Sequence, residues 1–173
     1  MAVERSFSLW LVPSGDAYHA LANLIIDLSN EYSSPRFTPH VTLLGGLQGS
    51  EEEIRSRSVK LANKMRPYTI TLTRLEYQDE YFRSLYIRVN ETKQVVQANL
   101  QAREVFDRQM DPGYLPHLSI LYGNYSSAEK DEIIKKNGQK FTLSFKVKSL
   151  HLVDTSLRPE SWVTTREFPF RSN

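Results

Sequence analysis

Polar and apolar residues alternate through SFSLWLV at 6–12, with Phe7, Leu9 and Leu11 on one face, and predict a strand. Pro13-Ser14-Gly15-Asp16 ends it. Ala20, Leu21, Leu24, Ile25 and Leu28 then recur at helical spacing to about Tyr32. A polar loop leads into an apolar strand segment, FTPHVTLLGG, at 37–46. Ser50 and Glu53 read as a capping box for an amphipathic helix to about Met65, which Pro67 stops. YTITLTRL from Tyr68 and YFRSLYIRV to Val89 both alternate, and the charged loop QDE between them makes a hairpin, with Phe82 heading its second strand on one face with Ser84 and Tyr86. A helix follows from about Thr92 to Asp107, then a turn at Asp111-Pro112-Gly113. After YLPHLSILYG at 114–123, Ser126 and Glu129 form a second capping box for a helix to Lys136, closed by Asn137-Gly138. FTLSFKVKSLHLV at 141–153 reads as one long strand whose apolar phase flips near Lys148, which predicts a bulge or strong twist. SWVTTREFPF supplies a last strand.

The resulting order is β-α-β-α-β-β followed by α-β-α-β-β, so helix, His-bearing strand, helix and a pair of strands occur twice. This predicts a degenerate internal duplication and an α+β fold. Residues 1–173 form one two-lobed domain: a bilobal, pseudo-twofold arrangement of antiparallel sheets around a central cleft, helices outside.

Charge adds little steering. Lys and Arg number 22 against 20 Asp and Glu, a net charge of +2, too small for a broad nucleic-acid footprint but compatible with a small anionic ligand. The absence of cysteine removes disulfides, thiolate nucleophiles and cysteine-based zinc sites. The opening residues carry too short an apolar run, with early charges at Glu4 and Arg5, for a signal peptide, and no stretch reaches the ~20 apolar residues of a membrane span. A cytoplasmic monomer is expected, with no membrane and no stable nucleic-acid partner.

The chemistry lies in the two echoing segments. Both read aromatic, any residue, Pro, His, aliphatic, Thr or Ser, aliphatic, Leu, any residue, Gly, and they hold two of the four histidines. In a strand, alternate side chains share a face. His40 and Thr42 therefore point one way and Val41 and Leu43 the other; His117 and Ser119 oppose Leu118 and Ile120. One such strand is an ordinary structural feature. Two, facing across a twofold cleft, converge two imidazoles and two hydroxyls. That set suits a phosphodiester: imidazoles with an ordinary pKa near ~6.5 serve as acid and base, and the hydroxyls donate to the non-bridging oxygens. No metal or other cofactor is required. A zinc site would need further ligands. Only His19, on a helix, and His151, in the long strand and read as structural, remain. No GxSxG, P-loop or GxGxxG occurs.

With HVTL and HLSI so placed, the chain resembles the two-histidine phosphoesterases, whose hallmark is a pair of His-x-Thr/Ser motifs on pseudo-symmetric lobes. Within them it is most similar to the cyclic phosphodiesterases of plants and fungi and their microbial relatives, through SLWLVP, PHVTLLGG, YFRSLYI, PHLSILYG and the closing Trp-bearing strand. The resemblance implies hydrolysis of nucleoside 2′,3′-cyclic phosphates to 2′-phosphates, and of ADP-ribose 1″,2″-cyclic phosphate, a by-product of tRNA splicing, to ADP-ribose 1″-phosphate. Carried over by position, His40 and His117 are the acid–base pair and Thr42 and Ser119 bind the phosphate; the family pattern favours His117 as base and His40 as acid, while the pseudo-symmetry of the two motifs leaves the reverse assignment open. The plant members' cysteines are absent here, which puts loop ordering in question and leaves the reaction untouched.

Three aromatics are substrate candidates. Tyr122, where the first segment has Gly45, reaches a phosphate oxygen or stacks on a base, or else packs in the core. Phe82 offers a stacking face or a core contact. Trp162 matches a family position lining the cleft, or is an ordinary half-buried Trp. Lys135, Lys136, Lys146 and Lys148 read as solvated faces. Two other functions are compatible with the same residues: an enzyme acting on RNA ends or 2′–5′ linkages, which wants a more basic groove, and a non-catalytic nucleotide- or RNA-binding module, which would have no use for four intact motif side chains.

Overall fold

A computed structural model describes residues 5–172; Glu4 lies outside them. The chain runs β1 (Ser6–Leu11), α1 (Gly15–Tyr32), β2 (Val41–Gln48), α2 (Glu51–Lys64), β3 (Tyr68–Glu76), β4 (Leu85–Val89), α3 (Lys93–Val105), β5 (His117–Leu121), α4 (Ser127–Asn137), β6 (Lys140–Val147), β7 (Ser149–Asp154) and β8 (Val163–Pro169). All strand pairs are antiparallel, and the fold is α+β.

The strands form one sheet in the order β6-β3-β4-β5-β2-β1-β7-β8. Reading outward from its middle, β5 mirrors β2, β4 mirrors β1, β3 mirrors β7 and β6 mirrors β8. The two lobes are thus four-stranded halves of a single sheet. Their strands join where β2 and β5 pair, at Val41 and Leu118. The lobes are not contiguous stretches of chain: β3 follows α2 yet joins β4 and β6, while β7 returns to β1.

Three of the four described helices begin with the side-chain cap their sequence offers. Ser50 Oγ accepts from Glu53 N–H, although Glu53 turns its carboxylate to Arg57 and leaves the box half made. Thr92 caps α3 through Val95 N–H. Ser126 and Glu129 complete the reciprocal box on α4, which ends at Gly138 with φ 82°, a conformation that suits glycine. The helices cover one face of the sheet: α1 lies on β5, α3 on β2, and α2 on β7 and β8. Asn99 of α3 is buried and donates to the Leu43 carbonyl at 2.8 Å, which ties α3 to a histidine-bearing strand. Between the layers, Leu9, Leu11, Val41, Leu43, Leu118 and Ile120 join one apolar cluster. The alternate residues of the same strands face the opposite side, where the cleft opens.

Two expectations are corrected. The segment 141–153 is not one bulged strand: at Lys148 the chain leaves edge strand β6 and crosses to β7 in the other lobe. The change of apolar phase marks that crossing. Phe82 does not head a strand either. Tyr81–Arg83 form a 3₁₀ turn, and β4 starts only at Leu85. Ser84 is buried, and Phe82 projects from the turn, 51% exposed. Lys146 and Lys148 are exposed, as the alternation implies. Among the described residues no helix is long and apolar enough to cross a membrane.

Candidate active site

The Val41–Leu118 pair sits on the pseudo-twofold axis, and its side chains point into the core. Continued antiparallel through that pair, the register sets His40 across from Ser119 and Thr42 across from His117. The imidazoles occupy one diagonal of a square and the hydroxyls the other. All four line a cleft of about 420 Å³, together with Phe82, Tyr122 and Trp162. The structure therefore brings together every residue singled out from the sequence. His19 is exposed on α1. His151 lies off the cleft on β7, within 3.6 Å of Glu167.

Both histidines are held alike. Nδ1 of His40 is 2.7 Å from the Thr38 carbonyl oxygen, and Nδ1 of His117 is 2.7 Å from that of Leu115. A carbonyl only accepts, so each Nδ1 carries hydrogen and each Nε2 is left for the cleft. The proline between that carbonyl and the histidine sets the bend that lets the ring reach back two residues.

Beyond that, the surroundings diverge. Trp10 of β1 pairs with Thr42, and its ring lies flat against His40, centroids 3.5 Å apart and 5° from parallel. At the mirrored position Tyr86 of β4 pairs with Ser119 and meets His117 edge-on at 5.0 Å. Tyr86 donates to Glu76, which also pairs with Arg88, and Arg88 stands directly opposite His117 in the ladder. Burial pushes His40 down to about 3, against the opposing bond to Thr38. His117 is also lowered, by burial first and then by the Arg83 and Arg88 cations, with the Leu115 carbonyl and Glu80 opposing.

The hydroxyls differ as well. Among the described residues the Thr42 side chain has no hydrogen-bond partner, whereas Ser119 Oγ donates to the Phe82 carbonyl at 2.9 Å. Gly123 N–H donates to the Tyr81 carbonyl at 3.0 Å. Its φ of 144° and the Tyr125 ring 2.5 Å from a built Cβ leave room for glycine alone. The 3₁₀ turn is thus fastened to the end of β5. Tyr122 is buried and stacked on Phe37 at 3.9 Å, and burial raises its pKa. Trp162 anchors its indole N–H on the Leu157 carbonyl at 2.8 Å and touches Phe82, Trp10 and Tyr122.

Sequence reasoning missed Trp10, Phe37 and Arg83. Trp10 left a signal, a large aromatic on the polar face of the first strand, beside Ser8. Phe37 and Arg83 left none, since their places depend on loop paths. Among the described residues no three His, Asp or Glu side chains group together as a metal site would need.

The profile of a family described as "Cyclic phosphodiesterase-like protein" matches residues 5–169. The chain is 26% identical over 165 residues to the "Cyclic phosphodiesterase" of Arabidopsis thaliana, covering 91% of each. It is 28% identical over 144 residues to a "2′,3′-cyclic-nucleotide 3′-phosphodiesterase" of Yarrowia lipolytica, covering 77% of this chain and 64% of that one. The crystal structure of TT0787 of Thermus thermophilus superposes with a TM-score of 0.70 at 15% identity, over 96% of this chain and 98% of that one, and shares the fold.

Proposed function

The chain belongs to the cyclic phosphodiesterase-like protein family, enzymes of the two-histidine phosphoesterase type, and on that premise we propose that it opens nucleoside 2′,3′-cyclic phosphates to 2′-phosphates and ADP-ribose 1″,2″-cyclic phosphate to the 1″-phosphate. The observation that carries this reading is the crossed square, with His40 and His117 on one diagonal and Thr42 and Ser119 on the other. In-line displacement needs base and acid on opposite sides of phosphorus, and the diagonal supplies them. The Yarrowia relative's name specifies cleavage at the 3′ side, and such cleavage leaves a 2′-phosphate.

His117 Nε2 takes a proton from water as the water oxygen bonds to phosphorus. The bond from phosphorus to the leaving ring oxygen breaks, and that oxygen receives the proton of His40 Nε2. Thr42, whose hydroxyl is otherwise unengaged, donates to a non-bridging oxygen, and Ser119 does so by turning its single O–H from the Phe82 carbonyl to the phosphate. The pair returns to its starting state by exchanging protons with solvent. Arg83 and Arg88 support the base assignment, because they favour a neutral His117. The Trp10 face supports the acid assignment, because an aromatic face favours an imidazolium. Burial lowers His40 to about 3, and an anionic phosphate beside the ring, an opposite charge, counters this by favouring the charged form that the acid role needs.

The test is to incubate EDTA-treated protein with adenosine 2′,3′-cyclic phosphate, ADP-ribose 1″,2″-cyclic phosphate and a short 2′–5′ oligonucleotide, and to identify the products. Ring opening of the cyclic phosphates to the 2′- and 1″-phosphates is expected. No turnover of any substrate overturns the reading, and turnover of the oligonucleotide alone overturns the substrate class.

A further inference from the structure

The cleft is larger than one phosphate and unevenly charged. Besides the two imidazoles, Arg83 is its sole formally charged lining residue among those described; no carboxylate lines it. A cyclic monophosphate carries a single negative charge, and the crossed square already meets it with four groups. Arg83 stands outside that square, at the end of the 3₁₀ turn whose preceding residue is Phe82. Its charge still acts on His117, so the guanidinium lies within electrostatic reach of the reaction centre.

Arg83 is also positioned to bind something else. Nε and Nη2 both go to one oxygen of Glu80, at 2.9 and 2.7 Å. That leaves Nη1 free to donate. The pair is exposed at the cleft rim, Glu80 by 54%, so it is screened by solvent and cheaply exchanged for a better partner. A planar guanidinium matches phosphate oxygens in pairs, which a side-chain amide or ammonium at this place would not. The turn that carries it is fixed through its backbone: Gly123 N–H donates to the Tyr81 carbonyl at 3.0 Å and Gln78 N–H to the Arg83 carbonyl at 2.9 Å, and buried Lys130 in turn holds the Gln78 carbonyl at 2.9 Å. The guanidinium is therefore presented from a rigid support.

We propose that Arg83 is a specificity residue that binds a second, non-scissile phosphate of the substrate, so that the enzyme prefers cyclic phosphates bearing a further phosphate or pyrophosphate over simple nucleoside cyclic monophosphates. The inference rests on the cyclic phosphodiesterase reading and narrows its substrate class. Phe82 and Trp162 supply aromatic faces beside the same subsite, so the ligand carries a base, a cyclic phosphate and a distal phosphate.

The experiment compares adenosine 2′,3′-cyclic phosphate with its 5′-phosphorylated derivative, as the ratio of the two kcat/KM values within each protein. Wild type is expected to favour the 5′-phosphorylated substrate by roughly tenfold or more, the scale of a hydrogen bond to a charged group. Raising the ionic strength shrinks that ratio, since the contact is at the rim. Arg83→Gln is expected to bring the ratio close to one, chiefly through KM for the phosphorylated substrate, and Arg83→Lys to keep part of it. A wild-type ratio of one, or a preference that survives Arg83→Gln, overturns the inference while leaving cyclic phosphate hydrolysis standing. Failure of wild type to turn over either substrate overturns the parent reading instead.

Discussion

The two histidine-bearing strands are alike along their own length and unlike in what stands next to them. β2 has Trp10 flat on its imidazole, and Thr42 keeps an unengaged hydroxyl. β5 has Tyr86 edge-on, an Arg88–Glu76 pair behind it, and a Ser119 hydroxyl committed to the Phe82 carbonyl. In the proposed mechanism a duplicated strand places four reacting groups by symmetry, and the neighbouring strands assign them different tasks. Symmetry would then give the in-line geometry and the neighbours the direction of proton flow.

The comparison is broken most severely by removing either imidazole. His40→Ala and His117→Ala should each lower kcat at least about 10²-fold, a typical acid–base contribution, in steady-state assays with the fold checked by circular dichroism. Near-full activity in either variant would refute the paired mechanism.

The hydroxyls should separate next. Thr42→Val loses a donor to phosphate, about tenfold or more in kcat, with little change in Tm because no protein group loses a partner. Ser119→Ala should lower kcat similarly and also destabilise by about 1 kcal/mol or more, because the Phe82 carbonyl is left without its donor. Equal thermal shifts in the two variants would show that the Ser119 contact holds nothing in place.

A smaller effect appears in stability against pH. His40 is buried neutral, with a folded pKa of about 3 against an ordinary 6.5. Between those values the unfolded chain binds the extra proton, so stability is whole above about 6.5 and falls as pH drops toward 3. The loss attributable to His40 is on the order of 2 kcal/mol by about pH 5. His117 and His151 are lowered too and add in the same direction. Denaturation midpoints of His40→Gln should decline less over that range than those of wild type.

Least of all, Phe82→Ala should raise KM for a nucleotide substrate by a few-fold, near the lower end of the ~1–3 kcal/mol for base stacking, because the ring is half exposed. Its kcat should change little.

Much of this was legible in the sequence because strand periodicity is strict. A period of two fixes which side of β2 carries His40 and Thr42, and which side of β5 carries His117 and Ser119. The capping serines announced α2 and α4 for the same local reason. What depended on long-range pairing was not legible. The crossing at Lys148 reads locally as a bulge, because adjacent strands of one chain can serve different lobes. Phe82 reads as strand because the alternation continues backward from β4. Its turn is instead held from the far end of β5, where Gly123 N–H and Ser119 Oγ donate to the Tyr81 and Phe82 carbonyls, and no local pattern encodes contacts so distant in the chain. The stacking of Trp10 on His40 is a cross-strand contact, visible only once β1 is known to lie beside β2.

The most direct test of the central claim, that two like histidines act as an acid and a base, changes the leaving group. Single-turnover rates of wild type, His40→Ala and His117→Ala are measured on adenosine 2′,3′-cyclic phosphate and on catechol cyclic phosphate, whose phenolate leaves without a donated proton. The account predicts that the activated ester restores most of the rate lost in His40→Ala and little of that lost in His117→Ala. Equal rescue of both variants, or rescue of His117→Ala alone, would contradict it.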